Sequence, residues 1–135
     1  MFRLLYISSA SRNLSNDDLH EILDKAQQNN AKLDVTGMLV YMDGNFVQFL
    51  EGSKENVMAL YNKIQRDDRH RDVLIIDQAN VSGRFFESWS MAFQKINRFN
   101  AKDYPVIKEF LDNPQKSADV IDDLIAVFID LITHK

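Results

Sequence analysis

VTGMLVYMDGNFVQFLEGS, residues 35–53, is the stretch that decides the fold of this chain. Two apolar runs, VTGMLVYM (35–42) and NFVQFLE (45–51), flank Asp43-Gly44. A two-residue type I′ turn needs positive φ at both central positions, and Asp-Gly accepts that geometry, so the stretch predicts a β-hairpin. Gly52-Ser53 then ends the second strand and caps a helix. The apolar stripe of that helix, Val57, Leu60, Tyr61 and Ile64, falls at i, i+3, i+4 and i+7.

Outward from the hairpin, the N-terminal run FRLLYIS (2–8) reads as a buried strand, followed by a loop over 8–15. Ser15, with Asp18 three residues on, predicts a helix N-terminus. Leu19, Ile22, Leu23 and Ala26 give its core stripe, and the helix is expected to fade near Gln28 to Asn30. On the other side, Asp67-Asp68-Arg69-His70 is turn-like, 73–79 reads as a fourth strand, Ser82-Gly83 as a turn and 86–93 as a fifth strand. The order βαββαββ predicts an α+β, ferredoxin-like sheet with both helices on one face, because strand–helix–strand crossovers are right-handed. Tyr104-Pro105 and Asn113-Pro114 punctuate two further helices, near 103–112 and 115–132, expected to cover part of the other face. Two segments follow: a domain over 1–97 and a C-terminal helical extension over 98–135.

Composition narrows the function classes. With 135 residues, 45% hydrophobic, nine Phe, four Tyr and one Trp, the chain has material for one packed core. Twenty acidic residues against sixteen basic ones give a net charge of -4, which argues against a phosphate-binding face for nucleic acid. Basic residues gather only at Arg66, Arg69, His70 and Arg71. Cysteine is absent, so disulfides, thiolate metal sites and cysteine nucleophiles are excluded. His20, His70 and His134 show no metal-ligand spacing. The start, MFRLLYISSASRN, has too short an apolar part for a signal peptide, and no run approaches the roughly 20 apolar residues of a membrane span. The expected location is the cytoplasm, away from membranes.

Several polar residues break the pattern of a plain core. Gln48 lies mid-strand in phase with Phe46 and Leu50. Tyr6 lies centrally in the first strand, in phase with Leu4, and Asn29-Asn30 end the first helix. Each has a plain account: an amide on a solvent-facing strand, an aromatic filler whose hydroxyl finds one acceptor, asparagines tolerating left-handed backbone. Together they surround the space between helices and sheet. A planar heteroaromatic ligand there needs amides along its edge and aliphatic walls on its faces. Asn30 and Gln48 supply the edge in this reading, and Ile22 and Ile64, otherwise ordinary core residues, supply the walls.

Five segments, in order, carry a family resemblance: LLYISSAS (4–11), Asn29-Asn30 with LDVTGMLVY (33–41), FVQFLEG (46–52), YNKIQRDDRH (61–70) and FESWSMAF (86–93). Over about residues 1–97 the chain resembles BLUF domains, the blue-light sensors using flavin, and specifically their short stand-alone members. The resemblance implies that Tyr6 is the photoactive tyrosine and Gln48 the switching glutamine. It implies that Asn30, with Asn29 beside it, binds the pyrimidine edge, and that Ile22 and Ile64 sandwich the ring. Lys63, Asp67 and His70 match positions that contact the ring edge or tail. Trp89 and Met91 match the pair implicated in signal output. The cofactor implied is FAD, with FMN and riboflavin left open because no phosphate-cradling glycine loop is visible. The implied output passes through the fifth strand and C-terminal helices to a downstream protein or a second copy of the chain, with no catalytic activity of its own. Two other readings compete: a small ferredoxin-like enzyme, which lacks an evident nucleophile–base pair, and a regulatory scaffold without flavin.

Overall fold

The computed structural model describes residues 1–42, 44–84, 92–96 and the single position 126. Seven elements follow one another: β1 (Phe2–Ala10), α1 (Asn16–Lys32), β2 (Thr36–Met42), β3 (Asn45–Gly52), α2 (Lys54–Gln65), β4 (His70–Asn80) and β5 (Ala92–Ile96). The expected order βαββαββ is the order observed.

The strands form one sheet in the order β4-β1-β3-β2-β5. β1 runs antiparallel to β3 and β4, β2 runs antiparallel to β3, and β5 joins β2 in parallel. The hairpin pairs Met42 with Asn45 across a two-residue connection, and Gly44 takes a φ of 79°. Asp43, the other half of the expected turn, lies outside the described residues. Residues from both helices, Leu19, Ile22, Val57, Leu60 and Tyr61, share a core with Leu4, Tyr6, Leu39, Phe46 and Leu50 of the sheet. Both helices therefore cover the same face. On the opposite face Leu5, Met38, Val40, Val47 and Phe49 are also fully buried.

Local chemistry places the helix starts where the sequence predicts. Ser15 accepts from the Asp18 amide while the Asp18 carboxylate accepts from the Ser15 amide, a reciprocal capping box. Ser53 caps α2 by accepting from the Asn56 amide. The Asn56 side chain then donates to the Leu33 carbonyl at 2.9 Å, tying the start of α2 to the end of α1.

Several boundaries differ from expectation. α1 continues past Asn30 to Lys32, and the left-handed residue is Asp34, with φ 53°, not an asparagine. The Asn30 carbonyl accepts from both the Leu33 and Val35 amides, which closes the helix and launches β2. β4 begins at His70, three residues early, because a bulged segment with Asp72 at φ 53° keeps pairing with β1. β5 is described over Ala92–Ile96, which takes in 92–93 of the expected strand and carries it on to 96 beside Met38–Met42, while the expected part over 86–91 lies outside the described residues. Residues 85–91, with Trp89 and Met91, and the expected helices near 103–112 and 115–132, lie outside the described residues. Among the described residues no helix is long and apolar enough to cross a membrane.

Candidate functional site

A cavity of about 250 Å³ opens between the two helices and the sheet. Its apolar walls include Ile22 and Ala26 from α1, Leu60 and Ile64 from α2, and Leu39 from β2. Each helix contributes an i, i+4 pair from its apolar stripe, and the sheet contributes the strand residue beneath them. Their amide counterparts are Asn29, Asn30 and Gln48, and Lys63, Asp67 and His70 also line the cavity. Eight of the nine expected ligand-binding residues thus line one cavity.

Tyr6, the ninth, stands behind the wall. It is fully buried, and its hydroxyl donates to Gln48 Oε1. The contact follows from register. Tyr6 and Gln48 face each other directly across β1 and β3, and opposed side chains in an antiparallel pair lie about 5 Å apart at Cβ. Tyr61 packs edge-on against Tyr6, with ring centroids 5.4 Å apart. Burial, with the nearby Tyr61 and Asp67 adding to it, pushes the Tyr6 phenol well above its ordinary pKa. It is a neutral hydroxyl throughout the physiological range, able to donate only to what touches it.

Asn30 is buried at 2% exposure and held by the two backbone bonds that close α1. His70 Nδ1 lies 2.9 Å from Ser8 Oγ, and its ring packs on Phe46 with centroids 4.5 Å apart. Burial drives the His70 pKa below its ordinary 6.5, with Arg69 acting in the same sense and Asp67 opposing it. Arg69 clamps Asp67, its Nε and a terminal nitrogen reaching the two carboxylate oxygens at 3.0 and 2.7 Å, and also reaches Glu21 at 3.6 Å. The clamp lowers the Asp67 pKa to about 2.

Sequence reasoning missed Lys25, Ala26, Leu39, Leu60, Arg66 and Arg69 as wall residues. Ala26 and Leu60 were within reach, being members of the recognised stripes. Leu39 follows from the hairpin, whose two-residue turn sets it opposite Gln48. Lys25 carries no comparable signal, since an exposed cation beside a stripe looks like any solvated helix face, and Arg66 and Arg69 are visible in the sequence only as part of the basic cluster at 66–71.

The donor set fits a flavin ring. Three amides offer both N–H and C=O groups to a pyrimidine-like edge, aliphatic side chains flank the slot, and the volume suits a ring system with its tail leading outward. Fold and cavity together define a ferredoxin-like α+β domain with a cavity between its helices and its sheet.

Comparison with known proteins identifies the family. The model of BLUF, described as sensors of blue-light using FAD, matches residues 1–92. The chain is 43% identical over 89 residues to photoactivated adenylate cyclase subunit beta of Euglena longa, covering 65% of this chain and 10% of that one. Among solved structures it resembles the BLUF protein BlrB in its dark state, with 26% identity, a TM-score of 0.81, and coverage of 95% of this chain and 94% of that one. It also resembles Klebsiella pneumoniae BlrP1 solved with FMN and cyclic diGMP, with 31% identity, a TM-score of 0.65, and coverage of 70% of this chain and 25% of that one. The chain belongs to the BLUF family of flavin-dependent blue-light sensors. It spans about a tenth of the length of the curated cyclase relative.

Proposed function

We propose that this chain is a cytoplasmic blue-light photoreceptor that holds FAD, or FMN in its place, with the ring between Ile22 and Ile64 and its polar edge on Asn29, Asn30 and Gln48. The observation that carries the reading is the Tyr6 hydroxyl donating to Gln48 Oε1, with Gln48 itself on the cavity wall. An oxidised flavin, when bound, absorbs blue light and accepts an electron in its excited state. Tyr6 is the donor of that electron and of a proton. Its hydroxyl has one route outward, through Gln48, because burial keeps water away.

Gln48 does the switching. A primary amide carries donor and acceptor on one plane, so rotation or tautomerisation exchanges its partners without creating net charge. A charge created at a site with 4% exposure would cost far more than an exchanged hydrogen bond. Lys63, Asp67 and His70 support the ring edge and the start of the tail. The output reading extends from Gln48 through β2 to β5, Trp89, Met91 and the 98–135 extension, and from there to a protein partner or a second copy. The chain acts as sensor, not as enzyme. The matched portion of the cyclase relative is a tenth of that protein, which supports assigning catalysis there to other segments.

A visible spectrum tests this directly. The purified protein is expected to show an oxidised-flavin absorption band that shifts slightly to the red under blue light and recovers in darkness. Tyr6→Phe and Gln48→Leu should keep the band and lose the shift. A protein that takes up no flavin refutes the photoreceptor reading, and a full photocycle in either variant refutes the Tyr6–Gln48 mechanism.

A further inference from the structure

β4 is an edge strand: among the described residues its one strand partner is β1. It is 11 residues long and carries Leu74, a large apolar side chain left 46% exposed. Its pairing with β1 is irregular in two places. One extra residue lies between Arg71 and Leu74, the partners of Ser9 and Ile7, and one between Ile75 and Asp77, the partners of Tyr6 and Leu5. Leu5, Ile7 and Ser9 alternate along β1, so Arg71, Leu74 and Asp77 stand on one face of the sheet, away from the two helices. Without the bulges a spacing of three would throw neighbouring members of this trio to opposite faces.

The trio is balanced about Leu74, with a cation three residues before it and a carboxylate three residues after. The Arg71 side chain is 64% exposed, and its ion pair, with Asp72 at 4.0 Å, is open to solvent and worth little. Both bonds from Arg3 to Asp77 land on Oδ2, so Oδ1 keeps capacity for another donor. Set antiparallel to itself about a twofold axis at Leu74, β4 meets a second copy with Leu74 on Leu74 and Arg71 on Asp77, twice over. Val73 then meets Ile75 on the helix side, where both already border the core. A shift of one residue sets Asp72 against Asp77 in one direction and Arg71 against Ile76 in the other.

We propose that β4 is a self-recognition edge, through which two copies of the chain join their sheets into one with Leu74 on the axis. The inference stands apart from the flavin reading and concerns the sheet edge opposite β5. Bulges and charges ordinarily protect an edge from strand addition. Here the interval 71–74 of one copy lies opposite 74–77 of the other, so each bulge faces a bulge and the residue counts stay equal. A regular strand from an unrelated protein would slip by one residue at each bulge, turning its side chains to the wrong face. A single strand pair buries well under the roughly 1,200 Å² of a stable interface, so the association is weak and reversible.

The chain has no cysteine, so a single introduced thiol reports the register. Directly opposed residues of antiparallel strands have Cα atoms about 4.5–5.5 Å apart, within disulfide reach. Under mild oxidation Leu74→Cys is expected to form a disulfide-linked dimer at least about ten-fold faster than Gln78→Cys, whose thiols stand on the order of 25 Å apart across the axis. Sedimentation of the native chain should show a reversible monomer–dimer equilibrium. Arg71→Glu sets carboxylates against each other at both ends of the ladder, and should weaken that equilibrium by at least about ten-fold with the far-UV circular dichroism unchanged. Equal crosslinking rates in the two thiol variants, or a native chain that sediments as a monomer up to roughly 1 mM, overturns the proposal. A dimer whose affinity Arg71→Glu leaves unchanged overturns it too, and assigns self-association to another surface.

Discussion

Gln48, buried, and His70, partly buried, are polar residues on the same cavity, and they differ in what loss of water does to them. Gln48 cannot ionise, so its environment acts only through hydrogen bonds. His70 can, and its pKa is pushed below 6.5 by burial. The neutral ring is thus favoured in the folded chain, whereas the unfolded chain protonates at the ordinary value. Stability from this residue is fully present above about pH 6.5 and is lost as pH falls from there toward the depressed folded value. Asp67 acts lower, its contribution fading as pH drops from 3.8 to about 2. Urea midpoints measured between about pH 7 and pH 5.5 should therefore decline in the native protein. His70→Gln should flatten that decline, and an equal slope in the variant would remove His70 as its source. At this scale the sequence was half legible. Tyr6, Asn30 and Gln48 stood out because apolar phase and polar character conflict at one position. That Tyr6 stands behind Gln48 rather than on the wall did not, because the offset between β1 and β3 is set by long-range pairing.

The hairpin of β2 and β3 is the element on which the site is built, since its register puts Leu39 beside Gln48 on the cavity floor. Gly37 permits that hairpin to close. A Cβ placed there would lie 2.0 Å from the Phe49 carbonyl oxygen, which is backbone and cannot swing away. Gly37→Ala should therefore pry the two strands apart at a cost of about 2–4 kcal/mol, read as a lowered denaturation midpoint. Flavin retention should fall with it, since Gln48 sits two residues from Leu50, the partner of Gly37. An alanine variant as stable as the native chain would mean that the strands do not approach this closely in solution. Elements governed by local chemistry were readable: two helices from their stripes and serine caps, one hairpin from Asp-Gly. Elements governed by partners were not. The run of β5 beyond residue 93 follows its parallel pairing with β2, and the start of β4 follows a bulge against β1, so neither could be read from its own residues.

Across the whole sheet one rung joins the outer strands: Ile75, Tyr6, Gln48, Leu39 and Phe93 are successive backbone partners from β4 through β1, β3 and β2 to β5. A sensor needs its switch to bias something distant, and coupling requires a physical element that both ends share. The rung is such an element, because Gln48 sits at its centre and β5 ends it. β5 is also the last described strand before the C-terminal residues and, among the described residues, is held at a sheet edge by a single neighbour, so its pairing is more easily disturbed than that of the three inner strands. If Gln48 exchanges partners under blue light, strain passes first to Leu39 and β2, and then to the β2–β5 ladder. Amide hydrogen exchange over Ala92–Ile96 should therefore change on illumination and revert in the dark, while exchange in the fully buried centre of β1 stays unchanged. Gln48→Leu should abolish the change even though flavin remains bound. Exchange at β5 that is identical in light and dark, in a protein whose spectrum does shift, would break the path through the sheet. The output would then leave from the helices that wall the cavity.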